Sequence, residues 1–301
     1  MSDPSGIESR RLEIGPYSVK SMPTGVFGLD GGAMFGTVPR VLWQKSNPPD
    51  ELNRIAMEAR ALLLLAGDRK ILIDCGIGAG FVEKYGDKLG SKFAEIYAVA
   101  EGKDSLQKSL VAAGVKAEEI TDVILTHLHF DHAGGATEFR DGKLRPTFPS
   151  ARYYVQRANL EAAQTPNPRE CASYYAANFQ PLLEAGVLNL LDGPVENLMP
   201  GVSVEITDGH TRGQQTVRVS DGSQTLVYCA DLIPTSSHVR VPWIMGYDLH
   251  PLLIMEEKRA LLKRAAAGGW YLFFEHDPLV DAARIAAVKD DFSVSERVRF
   301  I

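Results

Sequence analysis

Several common ways of holding or placing a protein are missing from this sequence. It has three cysteines in 301 residues, Cys75, Cys171 and Cys229, far apart and never as CxxC. An odd, scattered set supports neither a disulfide framework nor a zinc ribbon, and small buried side chains are the expectation for all three. Basic charge is also scarce, with 32 Lys and Arg against 38 Asp and Glu, for a net −6. A field of that sign does not hold a phosphate backbone, so nucleic acid is not the expected ligand. No stretch approaches the roughly 20 apolar residues needed to cross a bilayer, and the opening MSDPSGIESRRLEIG lacks the apolar run of a leader. The expectation is a cytoplasmic protein without a membrane partner. A GxSxG elbow is absent as well, which removes the usual serine nucleophile.

What remains is the composition of a globular chain, 45% hydrophobic and 23% charged, with ample material for a core. Leu12 to Met22 alternates weakly and reads as a strand. Gly25 to Pro39 reads as a glycine-rich loop too irregular for core. The apolar runs Ala61 to Ala66 and Lys70 to Asp74, split by Gly67-Asp68-Arg69, predict a hairpin of central strands. A helix over Asp104 to Ala113 behind an Asp104 cap and a strand over Thr121 to Leu125 follow. The second half repeats this grammar: strands at Arg152 to Val155, Val202 to Thr207, Thr216 to Ser220 and Thr225 to Cys229, a helix over Met255 to Ala267, and a strand at Tyr271 to Phe274. Strands and helices clustered in each half predict an α/β fold of two mixed sheets with helices outside, an αββα sandwich. No linker or short repeat interrupts it, so residues 1–301 are read as one domain.

The chemistry concentrates in Thr126-His127-Leu128-His129-Phe130-Asp131-His132-Ala133-Gly134-Gly135. If the strand stays extended through His129, period-two alternation puts His127 and His129 on one side, where both imidazoles can meet one metal. Asp131 and His132 lie beyond, where the glycine pair lets the backbone turn sharply toward a second position. Imidazole nitrogen with carboxylate oxygen is a donor set that zinc accepts.

This HxHxDH run resembles the signature of the metallo-β-lactamase superfamily, without a gap. That family completes its site with a later His, a bridging Asp and a last His at strand ends; here these correspond to His210, Asp231 and His276. The resemblance implies two divalent metal ions, zinc by expectation. His127, His129 and His210 would hold one, Asp131, His132 and His276 the other, and Asp231 would bridge them. Asp74 looks like the Asp that supports a ligand histidine from behind, although a turn Asp capping the glycine loop reads equally well. His250, before Pro251, reads as a loop residue. His238 lies seven residues after Asp231 and is a candidate to face substrate.

Phe27 to Trp43, the ILIDCGIG run, Trp243 to Tyr247 and Trp270 to Pro278 are similar to the branch containing quorum-quenching lactonases and methyl parathion hydrolase. In that branch the N-terminal loop, here within residues 1–50, shapes the pocket and joins a dimer interface, so a homodimer is expected. Phe27, Phe35, Trp43, Trp243, Ile244 and Met245 are candidate walls of a cleft, or plain core. One departure stands out: the Tyr that some N-acyl-homoserine lactonases carry three residues after the bridging Asp is Pro234 here. Thr235, Ser236 or His238 could substitute, or the second metal could act alone.

The resulting expectation is a binuclear hydrolase that opens a small lactone or ester by attack of a metal-bridging hydroxide, with Asp131 moving the proton. A phosphotriester or aryl ester hydrolase uses the same metals on another electrophile. From another class, a metal-binding module that senses a ligand without turnover is the remaining reading.

Overall fold

The computed structural model describes residues 6–99 and 105–301. Among them the strands form two large mixed sheets and a small separate hairpin. The larger sheet runs, edge to edge, Ile7–Arg10, Asp291–Phe300, Ala282–Val288, Tyr271–Phe273, Thr225–Tyr228, Gln214–Ser220, Val202–Thr207 and Val195–Met199. The other runs Leu188–Leu191, Arg152–Gln156, Asp122–Ile124, Arg69–Ile73, Arg54–Ala66, Tyr17–Asp30 and Leu12–Ile14. Mixed sheets with accompanying helices are the α/β class expected from the strand and helix pattern. The chain divides into two compact units, one built from residues up to Val19, Leu29–Met57 and Gly193–Ile301, the other from Lys20–Gly28 and Glu58–Asp192.

In the second unit the expected hairpin pairs Leu62 with Ile73 through Ala66 with Arg69. Gly67 takes φ +57°, a conformation that glycine adopts without a Cβ penalty. Leu62 to Leu64 and Ile71 to Ile73 are fully buried, which is why both runs read as continuous apolar segments and not as alternation. Leu63 and Leu72, which share one face, belong to a core that also takes in Leu106, Leu110, Val123, Leu125, Tyr153 and Val155. The helix observed is Ser105–Ala112; the Asp104 cap lies outside the described residues.

The first unit packs the long helix Pro251–Gly268 by Ile254, Lys258, Leu261, Leu262 and Ala265, spacings that keep one face inward. Its four aliphatic positions belong to a core with Val227, Leu272, Phe274 and Ala283. Burying an Ile or Leu side chain contributes about 1.5 to 3 kcal/mol, so that face dominates the helix's hold on its unit. The helix starts one turn earlier than expected, because Pro251 at its first turn loses no hydrogen bond and has the right φ. Gly269 ends it in the left-handed conformation, φ +62°.

Gly25 to Pro39 is not an irregular loop. Tyr17–Asp30 is a continuous strand, followed by the helices Gly31–Phe35 and Arg40–Trp43. Asp30 Oδ1 accepts from Ala33 N at 2.8 Å and caps the first of them. The glycine here serves close packing: a Cβ on Gly31 would stand 2.5 Å from the Trp43 ring. Cys75 and Cys229 are buried as expected, whereas Cys171 is exposed because it sits in a surface turn after Pro168. No helix among the described residues is long and apolar enough to cross a membrane.

Candidate metal centre

In the second unit Asp74 closes the strand Arg69–Ile73 with φ +56°. Its Oδ1 accepts from Thr126 N and its Oδ2 from Thr126 Oγ1, both at 2.7 Å, and Oδ2 lies 3.0 Å from His132 Nδ1. A carboxylate on Nδ1 fixes the tautomer and makes Nε2 the nitrogen that His132 can offer a cation. Asp131 Oδ1 stands 3.9 Å from that Nε2. His127 Nε2 and His129 Nδ1 are 3.1 Å apart, with the rings at 78°. Two neutral imidazoles that converge in this way either share a proton or aim two lone pairs at one point.

The strand itself ends at Ile124, so His127 and His129 meet in an extended segment beyond it. The turn toward Asp131 and His132 is made by a short helix, Phe130–Ala133, and not by glycine conformation: Gly134 has helical angles. The two glycines permit close approach instead. A Cβ on Gly134 would lie 1.9 Å from Ile77 O, and one on Gly135 2.2 Å from Cys75 O. Composition gave no hint of Glu170, whose Oε2 is 3.8 Å from His129 Nε2, or of Tyr174, whose ring packs against His129.

In the first unit His210, Asp231 and His276 each follow a strand of the larger sheet. Asp231 Oδ2 is 3.1 Å from His210 Nε2 and its Oδ1 is 3.2 Å from His276 Nε2, so each carboxylate oxygen faces a different imidazole. His210 Nδ1 is held by Asp248 Oδ1 at 2.9 Å, and Asp248 Oδ2 accepts from Met245 N at 2.8 Å. Burial pushes the Asp248 carboxyl above its ordinary range, and the bond with His210 pulls it back. Asp248 carries no motif and sits 38 residues from its partner, so sequence reasoning missed it. The His210 loop is pressed onto the long helix: a Cβ on Gly209 would stand 2.5 Å from Ile254 Cα. His250 N also bonds Gly209 O at 2.9 Å, with the His250 ring exposed at the helix N-cap.

The donors fit a zinc-like cation. All seven expected ligands are buried, all are imidazole or carboxylate, and His132 and His210 each have Nδ1 taken by a carboxylate that leaves Nε2 for coordination.

The residues expected to line a cleft are placed differently from one another. Phe27, Phe35, Trp43 and Met245 are at most 4% exposed, and only Trp243 and Ile244 are partly accessible. Phe35 stacks on Trp43 at 5.3 Å and on His238 at 4.6 Å. His238 is fully buried, with Nδ1 2.7 Å from Thr235 Oγ1 and Nε2 2.8 Å from the Met34 carbonyl, so it faces core rather than substrate. The other substitutes for the missing tyrosine are also engaged. Thr235 is spent on His238, and Ser236 Oγ donates to Asp277 at 2.5 Å. Pro234 has a backbone role, accepting from His276 N at 3.0 Å.

Burial pushes the His238 imidazole down to about 3, so the ring is neutral in the fold. Below its usual 6.5 the unfolded chain takes up a proton that the folded chain refuses until about pH 3. The stability supplied by the neutral ring is therefore complete above pH 6.5 and is lost as pH falls toward 3. Between pH 7 and 4 the wild type should lose about 3 kcal/mol more than His238→Gln in urea unfolding. Parallel pH dependences in the two proteins would refute this.

Residues 58–276 match the family model described as the metallo-beta-lactamase superfamily. The chain belongs to that superfamily. The matched span contains all seven expected ligands, and the two mixed sheets with their helices are consistent with the superfamily fold. A probable metallo-hydrolase of Mycobacterium tuberculosis is 27% identical over 214 residues, 64% of this chain and 63% of the relative. The chain thus matches less than two thirds of that relative's length. A superfamily relative named N-acyl homoserine lactonase, from Bacillus cereus, is 30% identical over 232 residues, 75% of this chain and 83% of the relative. A crystal structure described as a probable metal-dependent hydrolase from Staphylococcus aureus superposes with a TM-score of 0.82 at 26% identity, covering 95% of this chain and 99% of the other.

Proposed function

We propose that the chain is a metal-dependent hydrolase that opens lactones at a two-metal centre. In this reading His127, His129 and His210 hold one cation, Asp131, His132 and His276 the other, and Asp231 bridges them. The observation that carries it is the Asp231 carboxylate, whose two oxygens face the Nε2 atoms of two different histidines at 3.1 and 3.2 Å. A carboxylate serving one metal has no need of that division. The N-acyl homoserine lactonase from Bacillus cereus supports a lactone as the substrate class.

Bound divalent cations supply an acidified water and an electrophile for the substrate oxygen. The protein's own part is orientation and proton movement. Asp74 and Asp248 hold the His132 and His210 rings by their Nδ1 atoms, which keeps each Nε2 lone pair aimed. Asp131, 7% exposed, takes the proton that the attacking water brings to the intermediate and passes it to the oxygen that leaves. Thr235, Ser236 and His238 are committed to their own partners and do not stand in for the missing tyrosine, so polarising the carbonyl is chemistry that bound cations would have to supply.

Metal-free protein titrated with zinc should take up two ions per chain, with turnover of a lactone panel appearing as the second position fills. Saturation at one tight ion, or two ions without turnover of any lactone, aryl ester or phosphotriester, would overturn the proposal; the latter result would promote a ligand-binding module.

A further inference from the structure

Lys84 lies on the short helix Phe81–Tyr85 and is 7% exposed. Its Nζ donates to Gly134 O at 2.5 Å and to Thr137 O at 3.1 Å. Among the described residues no carboxylate pairs with it, and the titratable neighbour that acts on it is Cys75. An ammonium buried without a counter-ion is costly, and burial alone pushes this one down to about 7. An apolar side chain would fill the same space without that cost, so the donors themselves must matter.

Gly134 caps the helix Phe130–Ala133 carrying Asp131 and His132 and opens the turn Gly134–Ala136, and Thr137 starts the strand Thr137–Arg140 that follows. Gly134 O stands at the helix exit, where a carbonyl has no partner within the helix and carries partial negative charge that a cation satisfies better than a neutral donor, and Thr137 O ties the same cation to the strand beyond. Access for water to do the same is restricted on the loop side, because a Cβ on Gly78 would meet Gly134 O at 2.6 Å.

We propose that Lys84 is a positioning residue for the Asp131 and His132 part of the site, its ammonium pinning the exit of their helix so that both donors keep one direction. The role in metal binding rests on the two-metal reading above; the pinning itself does not.

The test uses the full chain with Lys84→Met and Lys84→Ala. In metal-free protein, amide hydrogen exchange over residues 134–137 should be at least about 10-fold faster in Lys84→Met, with the strand Ile71–Ile73 unchanged. Equal exchange overturns the pinning. On zinc titration one position should weaken by about 10 to 100-fold while the other keeps its affinity, and kcat should fall with KM little changed. Both affinities at the wild-type level overturn the positioning role. n-Propylammonium added to Lys84→Ala should restore affinity and kcat where n-propanol does not; equal rescue by both would mean that Lys84 only fills space. Should the wild type bind a single ion, the two-metal reading falls and the exchange comparison alone decides for or against the pinning.

Discussion

Replacing Asp231 by asparagine is expected to empty both metal positions and to lower kcat/KM by more than about 100-fold, a larger loss than removing a group that only orients a ligand. The amide keeps the size of the side chain but removes its charge and one of its two oxygen acceptors. In the protein those oxygens face His210 and His276 separately, so on the two-metal proposal each position would lose a donor or the charge behind it. Two divalent ions held close together also repel, and a shared carboxylate is the group that offsets most of this. The matched control is His250→Ala, because that ring is exposed at the start of the long helix and makes no side-chain cap bond. Elemental analysis should find metal lost from Asp231→Asn and retained in His250→Ala. Equal metal in the two variants would contradict the bridging assignment.

Asp131→Asn, in protein verified to retain its metals, should slow lactone opening by about 100-fold or more while changing aryl phosphotriester hydrolysis far less. The asymmetry comes from the leaving groups. A lactone ring opens to an alkoxide that stays attached and is strongly basic, so a proton must arrive for the reaction to finish. A phenolate with an electron-withdrawing ring departs without one. Asp131 is buried beside His132, with Oδ1 3.9 Å from its Nε2, well placed to hold that proton away from bulk water. Paired kcat/KM values for one lactone and one phosphotriester decide it. Equal losses, or a wild-type preference for the phosphotriester, would overturn the lactonase reading in favour of a phosphotriesterase.

Local features were the legible ones. The hairpin around Gly67 was readable because turn chemistry and two apolar runs lie within a dozen residues of each other. His127 and His129 were readable as a pair because they are two residues apart in an extended segment, and their nitrogens do come within 3.1 Å. The stretch after Gly25 is not legible from the sequence, because glycines that serve close packing look the same there as glycines of an irregular loop. Gly31 is there so that Trp43 can approach, a requirement set by a side chain twelve residues away. The same holds for Gly134 and Gly135, whose missing Cβ atoms admit the Ile77 and Cys75 carbonyls.

By itself the sequence determined the α/β class, the type and rough extent of most long elements, and the residue types available to a metal, since periodicity, turn residues and motif spacing all act within a few residues. Only the tertiary structure decided that His210 is held by Asp248, that His129 lies beside Glu170, that His238 is neutral core and that Lys84 spends its charge on two carbonyls. Burial makes each of these contacts matter, by removing water that would otherwise satisfy the polar group. Burial belongs to the packed chain, and no short window of sequence contains it.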